Sequence, residues 1–303
     1  MSWGNRIVCA LCALCLAFTF VAVGFVAVAV PDTATTALSE RFSGTTNDRT
    51  PFSADELREM ALAGKRYTFD TDDTFALYQA IYDINASAAA AGRATRGALD
   101  TTRWDALASQ DQLTRAEAQT GAQTTPFYAL ACSISGANAN AGDTARLREI
   151  QPTPEHAEEL LAEASEAYVL DAEAISHLND VFRVAQTAEA AIIAALVVAV
   201  LTAVGVCCSV GRRAFGSVLA CAGAIAIIAF AALGIWAAID FEGLFAVFHS
   251  LFFASGSWVF SADSLLITMY PEPFWVGMGA IWLGATALAS AAAIAIGVAL
   301  KRA

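Results

Sequence analysis

Residues 190–239 read AAIIAALVVAVLTAVGVCCSVGRRAFGSVLACAGAIAIIAFAALGIWAAI, and this stretch decides the fold. It holds two apolar runs, 190–210 and 215–239, separated by a short turn that contains Arg212 and Arg213. A helix needs roughly 20 apolar residues to cross a hydrocarbon core of about 30 Å. Because each run meets that length, the stretch is predicted to be a helical hairpin through a membrane.

Two further apolar runs lie near the ends of the chain, at residues 7–30 and 274–300. The chain is 57% hydrophobic and 15% charged, whereas soluble domains are about one-quarter charged. The first run is longer than the roughly 7–15 apolar residues of a signal peptide, so we interpret it as a retained span. The sequence therefore predicts an all-α membrane protein with four transmembrane helices.

The distribution of basic residues predicts the orientation. Outside residues 31–187, the basic residues are Arg6, Arg212, Arg213, Lys301 and Arg302. All of them lie on one side of the four-span topology, and no acidic residue shares that side. Because lysine and arginine are retained on the cytoplasmic side, both termini are predicted to be cytoplasmic and residues 31–187 to lie outside.

Residues 31–187 form the acidic part of the chain, with 24 acidic and 12 basic residues. The net charge of −12 resides in this segment. Since nucleic-acid binding requires a basic face, no nucleic-acid partner is expected. The predicted organisation is a first transmembrane helix at 1–30, an extracytoplasmic domain at 31–187 and a three-helix membrane domain at 188–303.

Helix signals indicate that the extracytoplasmic domain is mostly helical. Ser53 and Glu56 have the spacing of a capping box, which predicts a helix from there to about residue 64. Aromatic residues at helical spacing predict a second helix over 72–90. Pro154 follows a threonine and precedes a glutamate, a helix start from which the chain is predicted to stay helical into the second span.

Two parts of the domain lack such signals. Residues 31–50 are polar and rich in threonine and serine, and they are predicted to be a linker. Residues 86–143 turn to alanine, glycine, threonine and asparagine. We interpret them as a variable insertion rather than core, with a weakly specified helix near 102–119.

The connection between the third and fourth spans, residues 240–273, is apolar and aromatic where a loop is usually polar. We call it the His loop, because it carries His249. Its phenylalanines recur at 4-3-4 spacing, on one helix face, at Phe241, Phe245, Phe248 and Phe252. The pattern predicts a helix that lies in the headgroup region of the bilayer or re-enters the membrane slightly.

His177 is the first candidate for chemistry. Asp180 lies three residues later and Arg183 three more, on the same helix face. A carboxylate at that position can accept a proton from one ring nitrogen and so hold the tautomer of a general base. The alternative is an ordinary solvated helix face.

His249 is the second candidate, because it stands inside the aromatic run of the His loop. Its neighbours at three and four residues are Phe245, Phe252 and Phe253. Desolvation in such surroundings lowers the pKa of a histidine and favours the neutral imidazole that a base requires. The alternative is a histidine whose ring tip reaches the headgroups.

These segments together resemble one known family, the lipoprotein intramolecular transacylases, Lit. Lit proteins have four spans, a large outer region between the first two, and a histidine-bearing loop between the last two. Residues 86–143 depart from that pattern. The resemblance is carried by His177-Leu-Asn-Asp180-Val181 and, in the His loop, by Phe248-His249, Phe252-Phe253, Trp258, Asp263 and Tyr270-Pro271-Glu272.

The resemblance implies an acyltransferase of the bacterial cell membrane, with its site at the outer leaflet. The family moves the sn-2 acyl chain of a diacylglyceryl-modified lipoprotein to the α-amino group of that lipoprotein's N-terminal cysteine. The implied partners are such lipoproteins and the phospholipid bilayer, and no cofactor or metal is implied. The implied essential residues are His177 and His249.

An O-to-N acyl shift within one substrate suits two histidines. Amine and ester are already tethered, so orientation supplies much of the rate, and each positioned proton transfer adds roughly 10²–10⁴-fold. We assign His249 as the base and His177, oriented by Asp180, as the acid or oxyanion donor, with an exchange of roles left open. The supporting candidates are Asn179, Trp258 and Asp263.

Two other classes of function stay open. A membrane adaptor or envelope-assembly protein would bind a partner through the acidic outer domain and would tolerate loss of both histidines. A metal-dependent membrane hydrolase would instead use a ligand set made of His177, His249, Asp180 and Asp263. Six cysteines lie in the spans, where we interpret them as small apolar packing residues.

The position of His177 relative to the membrane is a constraint. If the second span begins at residue 190, His177 lies 13 residues earlier, roughly 20 Å along a straight helix. Either the helix kinks or tilts, or the bilayer begins nearer Val181. The two histidines must also approach within about 10 Å to serve one reacting centre.

Overall fold

Four long helices dominate the architecture. The structure, a computed structural model, describes residues 1–45, 47–107 and 154–302, and in these ranges it contains helices and no strand. The helices are α1 (Trp3–Ala29), α2 (Asp32–Phe42), α3 (Ala54–Arg66), α4 (Thr74–Ala90), α5 (Pro154–Glu163), α6 (Ala172–Ser209), α7 (Arg212–Ile239), α8 (Phe241–Phe252), α9 (Leu265–Met269) and α10 (Glu272–Arg302). Residues 101–107 are also helical, and a π-helical turn follows α3.

Helices α1, α6, α7 and α10 are long and apolar enough to cross a membrane. The predicted all-α protein with four transmembrane helices is therefore confirmed. Large apolar side chains on these helices, such as Leu201 and Ile228, are exposed, and a bilayer would cover them. Gly211 makes the tight turn between α6 and α7 at a φ of 103°, in the left-handed region where glycine is tolerated best.

Small residues let α7 and α10 approach closely. A Cβ atom added at Gly216 would lie 2.6 Å from the carbonyl oxygen of Gly297, so only a hydrogen atom fits there. The indole Nε1 of Trp282 on α10 donates to the carbonyl oxygen of Val21 on α1 at 2.9 Å. These contacts hold the spans as a bundle on which the rest of the chain is placed.

Helices α2–α5 and the described residues between them form what we call the cap. Its core also takes in the first turns of α6. The capping box predicted at Ser53 and Glu56 is confirmed, since each side chain accepts a hydrogen bond from the backbone N–H of the other. The second predicted helix is confirmed as α4. The cap is thus mostly helical, as predicted.

The linker predicted at residues 31–50 is wrong, because α2 occupies most of it. Buried Lys65 on α3 donates from Nζ to the carboxylate of Asp32 at 2.7 Å and to the carbonyl oxygen of Val30 at 2.9 Å. These bonds fix the start of α2 against α3. Threonine-rich composition lowers helix propensity, but here the tertiary contacts outweigh it.

The first part of the predicted insertion belongs to the core of the cap, which corrects the sequence interpretation. Leu99 and Trp104 are buried, and the guanidinium of Arg93 makes two bonds of 2.8 Å to the carboxylate of Glu56. Average composition does not reveal the few large side chains that pack. The remainder of the insertion and of its predicted helix lies outside the described residues.

The helix predicted to run from Pro154 into the second span is interrupted, so that prediction is wrong. The first helix ends at Glu163. A new helix, α6, begins after Asp171, whose side chain accepts the backbone N–H of Ala174 at 2.8 Å. Aspartate is a favourable N-cap residue, because its side chain accepts a backbone N–H in the first turn of a helix. Asp171 therefore starts a new helix here, although no glycine or proline interrupts the sequence before it. Helix α6 then continues unbroken to Ser209.

Helix α9 belongs to the core of the cap, although the His loop supplies it. Leu265 is fully buried there. The hydroxyl of Ser43 donates to the carbonyl oxygen of Met269 at 2.7 Å, and the N–H of Gly44 donates to that of Thr268 at 2.8 Å. Only the first half of the His loop, helix α8, therefore matches the predicted aromatic helix; the second half is attached to the cap.

The charge of Glu56 is expected to stabilise the cap. Hydrogen bonds from Arg93 lower the pKa of the buried Glu56 carboxyl to about 2. Because this pKa is depressed on folding, the stabilisation is present above roughly pH 5 and is lost as the pH falls towards 2. At pH 7, Glu56→Gln is expected to lower the free energy of unfolding by about 2–3 kcal/mol, seen as a lower unfolding temperature.

A matched control for Glu56→Gln is Glu40→Gln. The Glu40 carboxylate pairs with Arg58 at the surface, and exposed pairs contribute about 1 kcal/mol or less. The difference between the two variants should shrink at pH 3. Equal unfolding temperatures for Glu56→Gln and wild type at pH 7 would contradict the assignment.

Candidate active site

Helices α6 and α8 bring two histidines to the same end of the bundle. The antiparallel helices α6 and α7 are joined by a turn at Gly211. His177 lies 32 residues before Ser209, the last residue of α6, and therefore about 48 Å along α6 from that turn. Helix α7 has 28 residues, about 42 Å. Helix α8 follows at once, with the side chain of Asp240 accepting the N–H of Gly243 at 2.8 Å. The His loop therefore starts close to the level of His177.

The rings of His177 and His249 lie together, with centroids 6.1 Å apart and planes inclined by 25°. His177 is buried and His249 is half-buried. Helix α6 is continuous from Ala172 to Ser209, so His177 lies on the same helix as the second span. The approach of the two rings comes from the His loop, which lies against the first turns of α6. The separation satisfies the limit of about 10 Å set for partners at one reacting centre.

Two phenylalanines of the His loop pack against the ring of His177. The ring of Phe253 is edge-on at a centroid distance of 4.8 Å, and the ring of Phe260 lies at 5.5 Å. Phe260 was not singled out from the sequence, because one phenylalanine in an irregular segment has no periodicity. Apolar walls exclude water and strengthen the electrostatic interactions of the groups that they enclose.

The tautomer of His249 is set by its own helix. Nδ1 lies 2.8 Å from the carbonyl oxygen of Phe245. Since a carbonyl only accepts, Nδ1 carries the proton and Nε2 the lone pair. Helix α8 is separate from the four spans; burial lowers the pKa of His249, while the hydrogen bond to Phe245 acts in the opposite direction. The neutral ring therefore offers an unprotonated Nε2, as a base requires.

Two buried nitrogen atoms of this cluster have no hydrogen-bond partner within the described part of the chain. They are Nδ1 of His177 and Nε1 of Trp258. The ring of Trp258 lies 5.0 Å from that of His249, so both nitrogen atoms belong to rings that contact His249. A buried polar group left unpaired costs about 1–3 kcal/mol. At a functional site, such a group points to a substrate atom that completes it.

Two supporting candidates, Asp180 and Asn179, bond to other residues and not to the histidine pair. The carboxylate of Asp180 pairs with Arg183 at 3.2 Å, and Nδ1 of His177 has no partner, so the predicted hydrogen bond between Asp180 and the ring is absent. Asn179 accepts a hydrogen bond from the hydroxyl of Tyr67. Sequence reasoning missed Tyr67, because the π-helical turn that carries it has no recognisable pattern.

A cavity of about 350 Å³ lies on this other face of α6. Asn179 therefore faces the cavity and not the histidine pair, since neither histidine is part of the lining. The lining residues are Tyr67, Asp72, Thr74, Tyr78, Glu158, Ile175, Asn179, Phe182 and Arg183.

Asp263 does not join the pair either. It is exposed, and its backbone N–H donates to the hydroxyl of Ser261 in a turn before α9. In the described residues, no group of three His, Cys, Asp or Glu side chains is placed to hold a metal ion. The ligand set of the metal-hydrolase hypothesis is therefore not assembled there.

The family model described as "Lipoprotein intramolecular transacylase Lit" matches residues 155–275. This range contains both histidines and the helices that carry them. No curated protein sequence matches the chain.

The fold is similar to solved structures of Lit from Bacillus cereus. An in meso structure of this membrane integral protein has a TM-score of 0.59 at 15% identity, over 100% of this chain and 98% of that chain. Two structures of the same protein with one histidine replaced, by arginine and by alanine, each have a TM-score of 0.54 at 15% identity. They cover 98% of this chain and 92% and 94% of their own.

At this identity the structural likeness establishes the fold alone, and the family model matches the part of the chain that carries the two histidines. The matched range holds the histidine pair, and the four-span fold extends over the whole chain. Residues 155–275 are therefore similar to the lipoprotein intramolecular transacylase family, and the whole chain is similar in fold to a solved Lit structure.

Proposed function

We propose that this enzyme moves the sn-2 acyl chain of a diacylglyceryl-modified lipoprotein to the α-amino group of that lipoprotein's N-terminal cysteine. The match of residues 155–275 to the Lit family model supports a membrane lipoprotein transacylase. The observation that carries the finer proposal is the pairing of His177 with His249 inside aromatic walls, with ring centroids 6.1 Å apart. No external nucleophile is needed, because amine and ester belong to one substrate.

His249 acts as the base in this proposal. Its Nε2 accepts a proton from the neutral α-amino group as the nitrogen attacks the ester carbonyl carbon. The new carbon–nitrogen bond forms, and the carbon–oxygen bond to the glycerol sn-2 position breaks. One proton leaves the nitrogen and one reaches the glycerol oxygen, so the reaction consumes nothing else. The product is a lyso-lipoprotein with an amide-linked chain.

His177 acts as the acid. In one concerted transfer, its ring N–H protonates the departing glycerol oxygen while its other ring nitrogen takes the proton held by His249, so that no imidazolate forms. The short separation of the rings supports this transfer. Its burial beside Phe253 and Phe260 keeps the competing proton donor, water, away from the reacting atoms.

The orientation belongs to the same proposal. Both termini and the Gly211 turn lie in the cytoplasm, and the cap and the His loop lie outside. The substrate then reaches the histidine pair laterally from the outer leaflet. The side chains that support this route are exposed apolar residues beside the pair, with Leu251 72% and Phe252 49% exposed.

The experiment is expression in a bacterial host that makes diacyl lipoproteins. Mass spectrometry of lipoprotein N-termini is expected to show one acyl chain in amide linkage at the cysteine and a lysoglyceryl group. Expression of a variant that lacks both histidines is expected to leave the N-termini diacylated. Unchanged N-termini with folded wild-type protein in the membrane would overturn the proposal.

The pH dependence of the acyl shift is a separate prediction. The free α-amino group has a pKa near 7.7–8.0, so log(kcat/KM) is expected to rise with slope 1 below that value. Protonation of His249 adds a second slope. Since burial lowers the pKa of His249, the profile should steepen to slope 2 only below about pH 6.5. Rates in micelles between pH 4.5 and 9 measure this; steepening that begins above pH 6.5 would contradict it.

A further inference from the structure

We propose that Trp258 is a further catalytic residue, whose indole N–H donates a hydrogen bond to the carbonyl oxygen of the migrating acyl group. This rests on the acyl shift proposed above. In that reaction the ester carbonyl oxygen becomes an oxyanion when the amine adds to the carbonyl carbon. A fixed donor aimed at that oxygen stabilises the charge as it develops.

The indole nitrogen of Trp258 differs from that of other tryptophans in this protein because it is buried and unpaired. Its Nε1 is buried without a hydrogen-bond partner in the described part of the chain. Two tryptophans of α10 do have partners, since Nε1 of Trp275 donates to the carbonyl oxygen of Tyr270 at 3.0 Å and that of Trp282 to the carbonyl oxygen of Val21 at 2.9 Å. A buried donor normally has a partner.

The indole lies where the reaction would take place. The ring of Trp258 is 5.0 Å from His249 between centroids, and Phe245 packs against both rings. An amine poised at Nε2 of His249 would hold its ester carbonyl within the same small enclosure. The indole N–H therefore meets the two conditions for an oxyanion donor, proximity to the base and exclusion from water.

A turn of the His loop fixes this position. The hydroxyl and the N–H of Ser257 both donate to the carbonyl oxygen of Ala254, at 3.0 and 3.2 Å. Gly256 adopts a φ of 89°, a conformation that side chains rarely take. The turn reverses the chain after α8 and returns Trp258 to His249, and a preorganised donor of this kind needs no rearrangement during the reaction.

The indole differs from the histidines in what it contributes. An indole N–H donates a hydrogen bond but does not give up its proton in the working pH range. Trp258 therefore takes no part in the proton balance, in which the amine proton still passes through the histidines to the glycerol oxygen. Its removal should lower the rate and leave the pH profile unchanged.

Two variants test the proposal. Trp258→Phe keeps an aromatic ring and removes the N–H. Replacement of Trp258 by 3-(1-benzothiophen-3-yl)alanine keeps the full size of the side chain and substitutes sulfur for N–H. With a diacyl lipopeptide in micelles, both are expected to lower kcat about 10²-fold, with KM within about twofold and with the same pH profile as wild type.

The matched control is Trp275→Phe, in which the lost N–H was already bonded to a main-chain carbonyl. It is expected to lower the unfolding temperature and to keep kcat within about twofold. If the benzothienyl variant keeps wild-type kcat, the N–H contributes nothing and the proposal is overturned, whatever Trp258→Phe does. If the wild type is active and the double-histidine variant is inactive in that case, the proposed acyl shift is supported and only the role of Trp258 is rejected. A wild type without acyl-shift activity would overturn both.

Discussion

His249→Ala is expected to lower the rate of the acyl shift by about 10²–10⁴-fold, the usual contribution of a positioned general base. The variant loses Nε2, which the hydrogen bond from Nδ1 to the carbonyl oxygen of Phe245 leaves unprotonated. Without it, the attacking amine has no acceptor for its proton inside the aromatic enclosure. The measurement is the single-turnover rate with a diacyl lipopeptide, followed by mass spectrometry.

The fold should survive this substitution, because His249 is only half-buried and α8 has no buried residue. His249→Gln tests the chemistry more sharply, since an amide nitrogen can still donate to the Phe245 carbonyl but the side chain cannot accept a proton at neutral pH. The control on the same helix is Ser250→Ala, whose exposed hydroxyl donates only to the carbonyl oxygen of Val247. A rate for His249→Gln within threefold of wild type would exclude His249 as the base.

The spans and their order could be predicted from the sequence, because twenty apolar residues in succession have few physical alternatives. Both histidines could also be identified, each from its local pattern. Their proximity could not. It depends on the His loop folding back onto α6, and this contact joins residues far apart in sequence. No periodicity in residues 240–273 predicts such a long-range contact.

The predicted role of Asp180 shows why spacing alone misleads. An i,i+3 separation places two side chains on one helix face, but a third group decides which pair forms. Here Arg183, three residues further on, forms the ion pair with the Asp180 carboxylate. The side chain of Asn179 likewise accepts a hydrogen bond from Tyr67, on the other face of α6. By contrast, Trp258 was identified only as a lining candidate, and the unpaired state of its nitrogen needs atomic positions.

The position of helix α9 in the core of the cap could not be predicted from the sequence, for a related reason. Its apolar residues were assigned with the rest of the His loop to the bilayer interface, since composition does not distinguish a protein core from a headgroup layer. The structure places Leu265 and Met269 in the core of the cap. The outer domain and the membrane domain predicted at residues 31–187 and 188–303 therefore share one core.

Met269→Ala is expected to lower the free energy of unfolding by about 2–5 kcal/mol, the range for truncating a fully buried methionine. Met269 is 0% exposed, and its terminal methyl carbon packs over Gly64 on α3, 3.6 Å from where a Cβ there would lie. For a chain of this size, the loss corresponds to an apparent unfolding temperature lower by roughly 5–15 °C. Differential scanning fluorimetry in detergent measures it.

The same substitution is expected to affect the acyl shift through the walls of the site. Phe253, Trp258 and Phe260 lie between α8 and α9, so their positions depend on both ends of that segment. With Met269 truncated, the α9 end loosens before the spans do, and activity should be lost at a lower temperature than the helical signal. Leu251→Ala, 72% exposed on α8, is the control and should leave the unfolding temperature unchanged. Coincident loss of activity and helicity in Met269→Ala would show instead that cap, loop and spans unfold as one unit.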